Sequence, residues 1–276
     1  MAYLRSAALQ VIPAGGNDWT TNAAGGILTN YKTGGTFYQV HTFFESGLFE
    51  VNKTLSCDML IVAGGGPSGG YAGTNAYKDW PGGQGGGGAG GMGEISSLSV
   101  PAGAYTVTVG RGGRCRKLAG DSTVGTNSVF SGSGVTDMTC YAGGRGGTYG
   151  YSAPTNFEDG GSGGGGDQNG GGGAGTDGSG GTMTYYGNAG SNGSSNAGGG
   201  GGGAGGAGGT SAENGGTSGA GRNNLIRTGV NFLYASGGGH INHVAQHFDP
   251  DHGTGDGGQP GGTDGSHGIV VIRYAV

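Results

Sequence analysis

Glycine constrains this chain more than any other feature of its sequence. Of the 276 residues, 78 are glycine, about four times the usual share of roughly 7%. Glycine loses more backbone entropy on folding than other residues and has no side chain to bury, so helices and conventional cores are penalised. We therefore expect no enzyme. Only 7 prolines are present and the glycines come in runs, which excludes a collagen triple helix.

Charge and hydropathy exclude several classes of partner. The formal net charge is −5 and charged residues make up 11% of the chain, which gives no basic surface for nucleic acid. No apolar stretch approaches the roughly 18 residues of a membrane helix, and the N-terminal sequence lacks the apolar core of a secretory signal. We expect no nucleic-acid partner, no membrane insertion, and synthesis in a cytoplasm without a signal peptide. Cys57, Cys115 and Cys140 have no metal-like spacing and are predicted to be reduced thiols.

Several segments have the composition of β-strands, and together they predict a mainly β fold, an antiparallel β-sandwich with almost no α-helix. Residues 104–109 read AYTVTV, an alternation with the period of two that marks a strand with one buried face. Residues 59–63 form a continuous apolar run, which suits a buried strand. Further strands are predicted at residues 37–44, 48–51, 92–100 and 268–276, and weaker ones at 128–130, 138–141 and 231–235.

Glycine tracts separate these strands, and the longest covers residues 160–221. A flexible linker is one interpretation, since glycine-rich chains commonly behave as random coil. Strands flank the tract on both sides, however, and a structureless loop of this length is uncommon inside a compact domain. The other interpretation is a bundle of polyglycine II-type helices with three residues per turn, whose backbones approach closely enough to bond directly. We favour the bundle, framed by the sandwich.

The order of the strand motifs is the most specific feature of the sequence. VHTFFESGLFEV is followed by CDMLIVAGGG, then by PAGAYTVTVGRGG, and finally by SHGIVVIRYAV. This arrangement resembles the glycine-rich domain of bacteriophage tail-fibre and receptor-binding proteins. The resemblance covers residues 36–276, so we divide the chain into an N-terminal attachment segment, residues 1–35, and a glycine-rich domain, residues 36–276.

The resemblance implies a non-enzymatic virion protein of the tail-fibre or tail-tip type. Such a protein is located in a tail appendage, binds a receptor on the host surface, and attaches to other virion subunits, here through residues 1–35. It also implies a homo-oligomer, with a trimer as one option. The alternative is a purely structural virion subunit, such as a capsid or baseplate decoration or an assembly spacer, without receptor contact.

Aromatic residues between the glycine tracts are the predicted receptor contacts. Tyrosine and tryptophan offer large, rigid contact surfaces at low entropic cost and are enriched in binding hot spots. The alternative is that these side chains pack over the bundle edges or lie at a subunit contact. The candidates are Tyr77, Trp80, Tyr149, Tyr151, Phe157, Tyr185, Tyr186 and Phe248.

A histidine-rich segment, HINHVAQHFDPDH, is the candidate metal site, with no other cofactor expected. Imidazoles and carboxylates at this spacing are ligands that zinc or a similar transition metal binds. The alternative is a polar loop whose histidines are hydrated or bonded to neighbours. The candidate ligands are His240, His243, His247, His252, Asp249 and Asp251.

A GxGxxG pattern at Gly64, Gly66 and Gly69 follows the apolar run at residues 59–63. A dinucleotide site of this type needs the third glycine to open a helix. Pro81 and a glycine run follow soon after, so we expect no helix and no nucleotide there.

Overall fold

The computed structural model describes residues 21–70, 83–115, 122–148, 158–210, 215–239 and 253–276. Within these ranges the chain forms strands and turns and no α-helix. The first strands are β1 (Ala23–Ala24), β2 (Ile27–Thr33), β3 (Thr36–Phe43), β4 (Gly47–Val51), β5 (Leu55–Val62), β6 (Met92–Val100) and β7 (Gly103–Thr108). The others are β8 (Ser128–Gly132), β9 (Met138–Cys140), β10 (Gly178–Ser179), β11 (Thr184–Tyr186), β12 (Arg222–Asn224), β13 (Phe232–Tyr234) and β14 (Ile269–Ala275).

The strands form two six-stranded antiparallel sheets and a separate hairpin. The first sheet has the order β1-β4-β7-β8-β9-β10, and the second has the order β11-β6-β5-β14-β3-β2. The hairpin pairs β12 with β13. The predicted mainly β, sandwich-type fold is therefore confirmed, and the strands expected from alternation and apolar runs are present.

The main core fills the space between the two sheets. Phe49, Tyr105 and Phe130 of the first sheet are fully buried and share a cluster with Met59 and Ile272 of the second. The rings of Tyr105 and Phe130 stack with their centroids 5.3 Å apart. Burial of such side chains is worth about 1.5–3 kcal/mol each, so this cluster is the main hydrophobic contribution to the fold.

A second cluster covers the outer face of the second sheet. It contains Leu60 of β5 and Val271 of β14, together with Tyr234 of the β12–β13 hairpin. Because Met59 and Ile61 face the first cluster while Leu60 faces the second, β5 is buried on both sides. This explains why its sequence is a continuous apolar run instead of an alternation.

Glycine segments continue from the strand ends and bond to one another through their backbones. In the segment 85–91, every third amide beginning at Gly85 donates to residues 141–147. The next amide in each triplet donates to residues 199–202, and the third to residues 255–258. A chain with three residues per turn directs successive N–H groups to three sides of its axis, so this rotation is typical of polyglycine helices packed side by side.

Close approach of these backbones leaves no room for side chains. A Cβ atom on Gly69 would lie 1.7 Å from the carbonyl oxygen of Gly147, and one on Gly201 would lie 1.9 Å from that of Gly87. The described part of the 160–221 tract takes part in the same network, since Gly199 donates to Gly166 and Gly219 donates to Gly201. We call this hydrogen-bonded assembly of glycine segments the bundle.

At the sides of the sandwich, two pairs of glycines connect strands of different sheets. Gly25 and Gly26 connect β1 of the first sheet to β2 of the second, with φ of 116° and 60°. Gly180 and Gly181 lie between β10 and β11, with φ of 96° and 57°. Positive φ favours glycine, and a Cβ on Gly25 would also lie 2.0 Å from the carbonyl oxygen of Leu48.

The sandwich begins before the predicted boundary at residue 35. Strand β2 pairs with β3 along its whole length, from Ile27 opposite Thr42 to Thr33 opposite Thr36. The boundary thus falls at the turn of this hairpin, and residues 23–33 are part of the two sheets. Residues 1–20, which include the rest of the predicted attachment segment, lie outside the described residues.

Candidate functional site

A layer of hydrogen bonds lies near the end of the bundle that is far from the sandwich. The Gly69 amide donates to the Gly85 carbonyl at 2.9 Å, and the Gly85 amide donates to the Gly147 carbonyl at 2.9 Å. The Gly70 amide donates to Thr148 Oγ1 at 3.2 Å. We call this layer, made of Gly69, Gly70, Gly85, Gly147 and Thr148, the bundle tip.

The position of the bundle tip follows from the register of two segments. Ala63 donates to Gly91 beside the ends of β5 and β6, and Gly69 donates to Gly85 six residues further along. An extended threefold helix rises about 3.1 Å per residue, so the tip lies roughly 19 Å beyond the strand ends.

Two of the segments predicted to carry receptor contacts leave the described structure at the bundle tip. Residues 71–82 follow Gly70, and residues 149–157 follow Thr148, so the Gly70–Thr148 hydrogen bond joins the starting points of both. The aromatic residues themselves lie outside the described residues. They are Tyr77, Trp80, Tyr149, Tyr151 and Phe157.

Polar side chains fix the segments near the tip. Ser68 Oγ accepts from the Thr263 amide at 3.0 Å, and the Ser68 amide donates to the Thr263 carbonyl at 3.1 Å. Gln84 is buried, and its Oε1 accepts from the Gly261 amide at 2.8 Å. Sequence reasoning missed these residues. Their only signal is that each is an isolated polar side chain beside glycine.

The residues before the histidine-rich segment lie close to the level of the bundle tip, since Gly238 donates to Gly87, whereas the residues after it lie near the sandwich. Its six candidate ligands and Phe248 all fall within residues 240–252, outside the described residues. On its C-terminal side, Gly253 lies beside Phe44 and Ile269, at the start of β14 near the sandwich. In the described part of the chain, no group of three or more His, Cys, Asp or Glu is placed to hold a metal ion.

Tyr185 and Tyr186 lie in strand β11, at an edge of the second sheet, and not in a loop at the tip. The Tyr185 hydroxyl lies within hydrogen-bond distance of the carbonyls of Ser179 and Gly180, and burial raises its pKa to about 12. The Arg222 guanidinium lies 3.7 Å from the Tyr186 ring centroid and donates to the Tyr186 hydroxyl at 3.0 Å. Both side chains thus make contacts within the fold, and their receptor contact stays a prediction.

The described titratable groups with shifted pKa values include three buried in the sandwich. Burial raises the pKa of Cys57 to about 12, and the charge of Asp58 adds to the effect. Burial likewise raises the pKa of Cys140, whereas it lowers the pKa of His41 against the opposing effect of the Gly25 carbonyl. Since the thiolate is the reactive form of cysteine, these two thiols are inert at neutral pH.

The GxGxxG glycines use their amides within the bundle. Gly64 donates to Thr126, Gly66 donates to Gly88, and Gly69 donates to Gly85. A phosphate-binding loop instead leaves its amides free to point at the ligand. The geometry therefore accounts for these glycines as bundle residues.

The model of a glycine-rich domain matches residues 45–275, which is most of the chain. The chain therefore belongs to this glycine-rich domain family. No curated protein matches it. Within the described ranges, no helix is long and apolar enough to cross a membrane.

Proposed function

We propose that this chain is a non-enzymatic virion protein of the bacteriophage tail-fibre or tail-tip type, whose bundle tip presents aromatic segments to a receptor on the host surface. The observation that carries the proposal is the hydrogen bond between Gly70 and Thr148. It brings together the starting points of the two segments that contain Trp80 and Tyr151. These points lie at the end of the bundle away from the sandwich.

Rigid display is the mechanism. The Gly69, Gly85 and Gly147 amides are all bonded to backbone carbonyls, so the base from which the segments leave is fixed before a receptor binds. Fixing a binding surface in advance reduces the ordering entropy lost on association. Tyrosine and tryptophan on such a base supply contact area with few rotatable bonds.

Attachment to the rest of the particle is assigned to the opposite part of the chain. The N-terminal residues enter the sandwich at β1, where Ala23 pairs with Val51, whereas the tip lies roughly 19 Å beyond the strand ends from which the bundle continues. This arrangement separates a particle-facing region from a receptor-facing one.

The test is host adsorption of particles that carry the Trp80→Ala/Tyr151→Ala double variant. Truncating hot-spot aromatics typically weakens binding by about 2 kcal/mol each, so we expect adsorption to fall by about tenfold or more. The matched control is Phe37→Ala, which removes an aromatic ring that is 38% exposed on β3 of the sandwich and should leave adsorption unchanged.

Normal adsorption by particles that contain the stably folded double variant would overturn the receptor role. That result would favour the alternative, a structural virion subunit without receptor contact. A loss of adsorption by Phe37→Ala alone would instead move the contact surface to the sandwich.

A further inference from the structure

Each of the two six-stranded sheets has two edge strands. Three of these four edge strands are very short, and the fourth is not. Strands β1 and β10 bound the first sheet with two residues each, and β11 bounds one side of the second sheet with three. Strand β2 bounds the other side with seven. Short edge strands are a common protection against pairing with other chains, so β2 is the one long edge in the described structure.

The turn of the β2–β3 hairpin determines which backbone groups of β2 are unpaired. Gly34 and Gly35 have φ of 57° and 86°, the values of a type I′ two-residue turn, which makes Thr33 and Thr36 a hydrogen-bonded pair. The backbone N–H and C=O groups of alternate β2 residues then bond to β3, and those of the residues between them point away from β3. The Val276 amide donates to the Phe37 carbonyl. The backbone groups of Phe37 therefore point towards β14 and not towards β2, which agrees with this alternation. The outward residues are Leu28, Asn30 and Lys32.

Exposed apolar side chains accompany this edge. Ile27 at the start of β2 is 58% exposed, and Val230 in the turn of the β12–β13 hairpin is 68% exposed. That turn lies against β2, because the Tyr31 hydroxyl donates to the Ile226 carbonyl at 3.1 Å and a Cβ on Gly229 would touch the Tyr31 ring. The edge therefore combines free backbone groups with apolar surface, as sites of strand addition do.

We propose that β2 pairs antiparallel with β2 of a second copy of this chain, about a twofold axis at Asn30. The outward residues then bond in a closed, symmetric register, with Asn30 opposite Asn30 of the second copy and Leu28 opposite Lys32 of the second copy. The second sheets of the two copies become one continuous sheet.

The sequence of β2 fits this occupant. Its only charged residue, Lys32, lies two positions from Asn30, so the twofold register keeps the two lysines apart and sets the stem of each against a leucine. The strand contains no proline and its pairing with β3 has no register shift, so two common defences of an edge strand are missing.

Charge substitution at Asn30 tests the axis directly. In the N30D variant two carboxylates face each other across the axis, and in N30K two ammonium groups do, so each variant alone should self-associate about two- to fivefold more weakly, the range for like charges directly opposite in a sheet. An equimolar mixture of N30D and N30K places opposite charges together and should recover association. Sedimentation velocity across a concentration series at neutral pH measures this. The matched controls T33D and T33K, which carry the charges away from the axis, should show no such recovery on mixing.

Removal of the outward donor is the second test. Asn30→Pro deletes an N–H that β3 does not use, so the chain should fold while self-association weakens by about tenfold or more. A wild-type chain that stays monomeric at high concentration overturns the proposal, as does a dimer indifferent to Asn30→Pro. Hydrogen-exchange protection of Leu28, Asn30 and Lys32 that does not depend on concentration would show that another segment of the same chain occupies the edge, and it would also overturn it.

Discussion

The sandwich and the bundle have interiors of different kinds. In the sandwich, side chains fill the space between the sheets, and Phe49, Tyr105 and Phe130 are fully buried. In the bundle, backbone amides and carbonyls fill the interior, and glycines such as Gly201 leave no space for a side chain. Apolar burial therefore stabilises the first region, while close packing and satisfied backbone hydrogen bonds stabilise the second. A substitution that removes side-chain atoms should therefore cost more stability in the sandwich, and one that adds a methyl group should cost more in the bundle.

Alanine occurs where the two kinds of packing meet. Ala89, Ala204 and Ala235 interrupt glycine segments, and all three belong to the apolar cluster on the outer face of the second sheet. There a methyl group shares its surroundings with Leu60 and Val271. At these three positions the residue faces the side-chain cluster and not only a neighbouring backbone.

Truncation of a sandwich side chain should give the largest effect. Phe130→Ala removes a ring that is fully buried and stacked on Tyr105, and we expect the free energy of unfolding to fall by about 3–5 kcal/mol. The corresponding truncation in the bundle, Ala89→Gly, should lower it by only about 1–2 kcal/mol, through backbone entropy and the loss of one buried methyl group. Urea denaturation followed by circular dichroism measures both. Equal losses would mean that the bundle also depends on side-chain burial.

In the bundle, addition of a methyl group should cost more stability than removal of one. Gly201→Ala would place a Cβ 1.9 Å from the Gly87 carbonyl oxygen, so two segments must separate, and we expect a loss of about 3 kcal/mol. Gly206→Ala is the matched control in the same tract, since the nearest atoms to its Cβ lie 3.7 Å away. There the substitution should be neutral or stabilise by up to about 1 kcal/mol, because alanine restricts the unfolded chain.

The two glycine variants are compared by the same denaturation experiment. If Gly201→Ala and Gly206→Ala unfolded at the same urea concentration, the close backbone packing described for the bundle would be wrong.

The sequence predicted the strands that have an apolar signature and missed the others. The apolar run of β5 and the alternation of β7 follow directly from burial on two faces or one. Strand β2 reads ILTNYKT, with five of its seven residues exposed, so an edge strand of this kind carries no such pattern. Strands β10 and β11 have two and three residues, too few for any periodicity to be visible.

The bundle tip was harder to predict from the sequence than the strands. The aromatic segments were found from composition, but the contact between Gly70 and Thr148 depends on which glycine segments are neighbours and in which register. Glycine has no side chain to encode that register in a recognisable pattern. Tyr185 and Tyr186 show the opposite problem, since their composition resembles a loop motif while pairing with β6 places them in a strand.

A pH-dependent loss of stability should be the smallest effect, and we expect it in the sandwich. Backbone groups of glycine do not titrate between pH 5.5 and 7.5, whereas His41 is buried in the sandwich with its Nδ1 2.7 Å from the Gly25 carbonyl oxygen and its Nε2 3.3 Å from the Tyr274 hydroxyl. Burial lowers the pKa of His41 in the folded chain, while in the unfolded chain it is about 6.5.

As the pH falls below about 6.5, the unfolded chain therefore takes up a proton that the folded chain resists. The stability contributed by neutral His41 is fully present above that pH and is lost progressively until the lower folded pKa is reached. Urea denaturation at pH 7.5 and 5.5 should show a decrease for the wild-type chain and a smaller one for His41→Gln, whose amide can still donate to Gly25. The same decrease in both chains would assign the pH dependence to other groups. A larger loss for Gly201→Ala at pH 5.5 than at 7.5, beyond that of the wild type, would show that the bundle also contributes to the pH dependence.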